Sequence, residues 1–168
     1  MYRKVAAAGI EVLVSAGRKI EEVTVRALTE AARVSRGVVA VVIPTRVPES
    51  GVTSVFKPVF PLFPAEALER MKQSGMFALS EPGKLEQVLA AADLTTDDDE
   101  EIECPIVFED AIAAERAFLG AGPMQLAIRH SGEPAVAESI RAALAPLTES
   151  DGRVVLPAWY RAVLARTM

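Results

Sequence analysis

"IEVLVSAGRKIEEVTVRALTEAARVSRGVVAVVI" (residues 10–43) decides the fold. Four of its first five residues are apolar, three of them β-branched, and "SAGRK" follows, the pattern of a buried strand running into a loop. Thr24 is placed to cap a helix through "VRALTEAARV", whose Leu28, Ala31 and Ala32 give one apolar face. "SRG" makes a turn, and "VVAVVI" at 38–43 reads as a second, fully apolar strand closed by Pro44. Two buried strands joined by a helix describe a parallel βαβ unit with both sheet faces covered. The fold class is therefore α/β.

Beyond residue 43 the pattern changes. Five of the eleven prolines fall in residues 44–64, which predicts a long irregular connection over the surface or over a site. A helix is expected at 65–73. Ser80 is a suitable N-cap with Pro82 in the first turn, and Leu85, Val88, Leu89 and Ala92 then mark a packed helical face. "TTDDDEE" at 95–101 reads as a polar turn leading into "IECPIVF", a third strand. Residues 109–147 are helical in pattern, broken near "GAGP" and "HSGEP", and the last helix sets Val136, Ile140, Leu144 and Leu147 on one side. After a turn at 150–152, "RVVLPAWYRAVLARTM" is extended, with a bend or sheet edge at Pro157.

Composition narrows the function classes. Half the residues are apolar and a quarter are charged, the profile of a folded chain, and 168 residues fit a single domain spanning 1–168. A net charge of −5 with no basic stripe argues against nucleic-acid binding. The longest apolar run is too short to span a membrane, and no signal-peptide pattern opens the chain. The single cysteine, Cys104, fits a reducing compartment and reads as a small buried hydrophobe. Cytoplasm is the expected location.

Few residues point to chemistry by themselves. His130, the only histidine, reads as a polar helix-end residue before it reads as a base. The acidic run Asp97–Glu101 lacks the spacing of a calcium loop, and no metal is expected. Trp159 and Tyr160 read as packing or interface residues, and Met71, Met76 and Met124 as packing. Open α/β sheets bind ligands beyond the carboxyl ends of their strands, so the loops at Ser15–Gly17 and Pro44–Thr45 are the best candidates.

The order of elements resembles the C-terminal half of class I S-adenosylmethionine-dependent methyltransferases of the small-molecule, quinone-biosynthesis-like type. "EVLVSAG", "ALTEAARVSRG" and "VVAVVIP" follow that family's fourth strand, its "LxExxRVLxPGG" helix and its fifth strand. "FALSEPGKLEQVLAAADL" is similar to the helix before its sixth strand, and "LPAWYRAVLAR" to its terminal strand. The resemblance implies a partial Rossmann-like methyltransferase sheet, strands corresponding to the fourth to seventh, with flanking and capping helices. The family's Pro-Gly-Gly turn reads Arg36-Gly37-Val38 here, and no "GxGxG" loop for the methyl donor is present.

The resemblance further implies S-adenosylmethionine as cofactor and a small-molecule acceptor. It sets Ser15 and Gly17 near the donor and Thr45, Phe56 and Phe77 around the acceptor, with no catalytic residue. Three expectations follow. A complementary N-terminal half or a homo-oligomer completes a methyltransferase; or the chain is a non-catalytic binding or interaction domain; or it is a truncated remnant, inactive alone.

Overall fold

The computed structural model describes residues 20–35, 37–73 and 77–167. The chain is mixed α/β. It divides into two compact units, one of Met1–Ile43, Gly75–Glu101 and Arg161–Met168, the other of Pro44–Ser74 and Ile102–Tyr160. The helices are α1 (Ile20–Val34), α2 (Gly51–Phe56), α3 (Ala65–Gln73), α4 (Lys84–Ala91), α5 (Ala111–Leu119), α6 (Met124–Ser131) and α7 (Glu133–Leu144). The strands are β1 (Val38–Thr45), β2 (Leu94–Glu103), β3 (Ile106–Phe108), β4 (Val154–Leu156) and β5 (Trp159–Thr167).

In the first unit α1 and α4 pack on one face of a three-stranded sheet ordered β1-β5-β2. Leu28 and Ala32 of α1 meet Val39 and Ile43 of β1, Leu85, Val88 and Leu89 of α4, and Val163 and Ala165 of β5. The spacing of four residues on α1 and of two along β5 is what each period requires to keep one face turned inward. Thr167, ending β5, donates its N–H to the carbonyl of Gly37 before β1 (2.9 Å), and Thr95, opening β2, bonds the carbonyl of Arg166 (3.4 Å). The last strand therefore runs antiparallel to both neighbours. Gly37 has φ of 88°, and a Cβ there would lie 2.5 Å from Thr167 Oγ1, so glycine is required where the strands meet.

The second unit is a helical cluster with a short hairpin-like ladder. β3 and β4 pair antiparallel in the register Ile106 to Leu156, Val107 to Val155 and Phe108 to Val154. Their inner side chains join Val55, Val59, Phe63, Phe118, Met124, Val136, Ile140 and Leu144 in the core. Phe118 is gripped edge-on by Phe56 (centroids 6.0 Å, 68°) and lies 6.4 Å from Phe108. Asp110 caps α5, its Oδ1 accepting from the Ala113 N–H at 2.7 Å, and thereby satisfies one orphan donor of the first turn.

Several expectations hold: α1 and the strand after it, a helix at 65–73, the breaks at 120–123 and 132, the apolar face of α7, and a bend at Pro157 between β4 and β5. One expectation is untested and others are corrected. The strand expected at 10–14 lies outside the described residues. Strand β1 is one-faced, with Val39 and Ile43 buried but Val38, Ala40 and Val42 exposed, because among the described residues helices cover only one side of it. Residues 44–64 are mostly helical, as 3₁₀ turns at Val47–Glu49 and Lys57–Leu62 flanking α2. Proline's fixed φ suits the first positions of such turns, where no N–H is needed.

Further along, α1 begins at Ile20, ahead of Thr24. Helix α4 starts after Gly83 rather than at a Ser80 cap, since Ala78–Ser80 is itself a 3₁₀ turn. The acidic run 95–101 is strand, not turn. Its charges are tolerated because β5 sets Arg161 and Arg166 across from them (Arg161 to Asp99, Arg166 to Asp97), and opposite-charge cross-strand pairs favour the ladder. The expected "IECPIVF" strand breaks at Cys104–Pro105, and Cys104 is exposed, not buried. Among the described residues, no helix is long and apolar enough to cross a membrane.

Candidate functional site

The carboxyl end of β1 concentrates the unusual features of the second unit. Thr45 closes the strand half-buried, and its Oγ1 is buried with no hydrogen-bond partner. An unmade bond at a buried hydroxyl costs about 1–3 kcal/mol. Arg46 follows with φ of 45° and ψ of 40°, a left-handed conformation that costs a side-chain-bearing residue about 1–2 kcal/mol. Such strain persists only where its surroundings over-determine it.

Two contacts supply that over-determination. The Arg46 guanidinium carbon lies 5.3 Å from the Trp159 ring centroid, within the range in which a cation is attracted by an aromatic face. Gly51, which opens α2, donates its N–H to the Pro157 carbonyl at 2.8 Å. That approach is closer than any side chain permits, because a Cβ on Gly51 would lie 2.7 Å from Leu156 Cα and 2.8 Å from Leu156 Cβ. The turn after β1 is thus strapped to the segment entering β5. A buried polar atom, a cation and an aromatic face gather there.

The other polar cluster belongs to the first unit. Arg161 of β5 holds Asp99 with two nitrogens (Nε to Oδ1, 2.8 Å) and Glu86 of α4 with one (2.6 Å). Those hydrogen bonds hold both carboxyls below their ordinary range and raise the guanidinium. The cluster ties α4 and β2 to the last strand, with every charge directed at another.

Of the residues singled out by sequence, Thr45 stands at the strapped turn, and Phe56 shares its unit but packs on Phe118. Phe77 is an exposed residue of the first unit. Ser15 and Gly17 lie outside the described residues. His130 is exposed in the last turn of α6. Sequence reasoning missed Arg46 and Gly51 and assigned Trp159 to packing. Nothing in a lone arginine foretells a left-handed backbone, although the glycine after a proline-rich turn is a fair signal of close approach.

A shallow groove of about 480 Å³ lies between α5, α6 and the start of α7, lined by Ile112, Glu115, Arg116, Leu119, Gln125 and Ile128 among others. Glu115 is held by Arg141 at 3.0 Å, and Gln125 donates to the Leu119 carbonyl at 2.7 Å. Two of its polar groups are thus spent on the fold. No group of three or more His, Cys, Asp or Glu able to hold a metal occurs among the described residues. No protein-family model matches the chain, and no curated protein does so.

Proposed function

We propose that this chain is the acceptor-side half of a class I S-adenosylmethionine-dependent methyltransferase acting on a small molecule, active when a partner chain or a second copy completes the donor site. The observation that carries this is the strand order. β5, the last strand, lies between β1 and β2 and runs antiparallel to both. β1 is the strand that resembles the family's fifth and β5 the one that resembles its terminal strand, and β2 follows the helix that resembles the one before its sixth. The finer fold assignment, a partial Rossmann-like sheet with the fourth strand at Ile10–Val14, belongs to the same proposal.

The described residues do not fit the methyl donor by themselves. They present no glycine-rich turn whose backbone could approach it, so no chemical step is assigned to them. The donor arrives already activated and supplies the methyl group, which leaves alignment as the protein's task. For that task the strapped turn after β1 offers groups. Thr45 Oγ1 would bond a polar atom of the acceptor, and Trp159 would present an aromatic face.

Isothermal calorimetry with S-adenosylmethionine tests this. Saturable heat at micromolar donor supports a methyltransferase whose donor site is completed by association. No heat from a well-folded protein removes catalysis by this chain and leaves a non-catalytic binding domain or a remnant.

A further inference from the structure

The chain contains no asparagine, and of its six aspartates only Asp151 is followed by glycine. The distinction is chemical. The carboxyl carbon of an aspartate is open to attack by the peptide nitrogen of the next residue, and only glycine leaves that nitrogen without a side chain beside it. The pair lies in the exposed turn that enters β4. There Gly152 donates its N–H to the Glu149 carbonyl (3.0 Å) and Glu149 donates its N–H to the Arg153 carbonyl (2.8 Å). Thr148 and Val154 close the turn as an antiparallel bridge. Gly152 has φ of 90°, a conformation that side chains disfavour, so the turn requires glycine after the aspartate.

The Asp151 carboxyl is folded forward along the same peptide. Its Oδ1 accepts from the backbone N–H of Arg153 at 3.1 Å and its Oδ2 from Arg153 Nε at 2.7 Å, and Gly152 lies between the two residues. Both side chains are about half exposed (52% and 53%), so the turn is open to water. Hydrogen bonding by Arg153 holds the carboxyl below its ordinary range and therefore ionised. An ionised carboxylate resists attack, because one of its oxygens must leave as water. The Gly152 amide proton, which must also depart, is held by Glu149.

We propose that Asp151–Gly152 is a site of spontaneous aspartyl isomerisation in this chain, and that Arg153 restrains the reaction in the folded state. The Gly152 nitrogen bonds to Cγ of the neutral carboxyl; the carboxyl hydroxyl and the amide proton leave together as water, and a five-membered cyclic imide remains. Water then opens the ring. Attack at Cγ restores aspartate, whereas attack at the main-chain carbonyl leaves a β-linked residue with one extra methylene in the backbone. No oxidant, metal or second substrate is needed. The longer backbone strains the turn that sets Val154 against Phe108, and Val154 is wholly buried in the core of the second unit. Because the turn demands glycine at 152, the fold keeps the vulnerable dipeptide and leaves its protection to Arg153.

Peptide mapping tests this on the whole chain. Wild type and Arg153→Gln are incubated at neutral pH and physiological temperature, both folded and unfolded in guanidinium chloride. Endoproteinase Asp-N, which does not cut before a β-linked aspartate, reads the isomerised fraction, and electron-transfer fragmentation locates it. Unfolded, the two chains isomerise at Asp151 at equal rates. Folded, the wild type slows severalfold and Arg153→Gln slows less, with Arg153→Lys, which keeps the charge without the Nε donor, between them. The urea midpoint shows that each variant is folded, as expected for an exposed side chain. Absence of β-linked Asp151 from the unfolded chains overturns the site, and equal rates in the folded wild type and both variants overturn the restraint. Neither result bears on methyl transfer.

Discussion

Gly51→Ala sets two known effects against each other. Alanine is favoured over glycine in a helix by up to about 1 kcal/mol, and it reduces the freedom of the unfolded chain by a comparable amount. Gly51 opens α2, so those gains alone make the variant more stable. Against them stands a Cβ 2.7 Å from Leu156 Cα and 2.9 Å from Pro157 Cδ. The first contact is with backbone, which no rotamer change relieves. The strand entering β5 must therefore move, stretching the 2.8 Å bond from Gly51 N–H to the Pro157 carbonyl.

Overpacking of this kind costs about 1–3 kcal/mol, and a weakened buried hydrogen bond adds about 1 kcal/mol. The net expectation is a loss of about 1–2 kcal/mol. Urea unfolding followed by the fluorescence of Trp159, the only tryptophan, reads this as a lower midpoint at unchanged slope. A native emission spectrum altered in the variant is also expected, since Trp159 is two residues beyond the displaced proline. A midpoint equal to or above that of the wild type would refute the close approach.

Three further outcomes are expected. Ile140→Ala, at a position with no exposure, costs about 3–5 kcal/mol in urea unfolding, because a cavity opens where α7 crosses the core. Thr45→Val removes a buried hydroxyl without a partner and raises stability by about 1 kcal/mol; a loss of that size would mean the hydroxyl is already bonded. For Arg161→Gln the difference from wild type depends on pH. Glu86 and Asp99 have carboxyls lowered by Arg161 in the folded state, so their stabilisation is complete above the ordinary values near 4. It is lost as pH falls through the lowered values. The variant is therefore less stable at neutral pH and converges on the wild type as acid protonates both carboxyls; a gap that is constant in acid contradicts the pairing.

The sequence carried much of this structure in its periodicities. Leu28 and Ala32, or Val136, Ile140 and Leu144, reveal which helical face is buried because burial imposes the period directly. The acidic strand was not legible, since a run of carboxylates favours strand only when arginines stand opposite, and Arg161 and Arg166 lie more than sixty residues away. The proline-rich stretch misled for a local reason: proline breaks a helix interior but opens a 3₁₀ turn. At the candidate site Thr45 could be found from its place at a strand end, whereas Arg46 owes its role to a backbone angle and a ring from a distant segment.

The most direct test of the methyltransferase proposal is size-exclusion chromatography in buffer containing tritiated S-adenosylmethionine. Label eluting with the folded protein and saturating at micromolar donor is the result expected of a donor site completed by association. Folded protein that elutes with no excess label would contradict it.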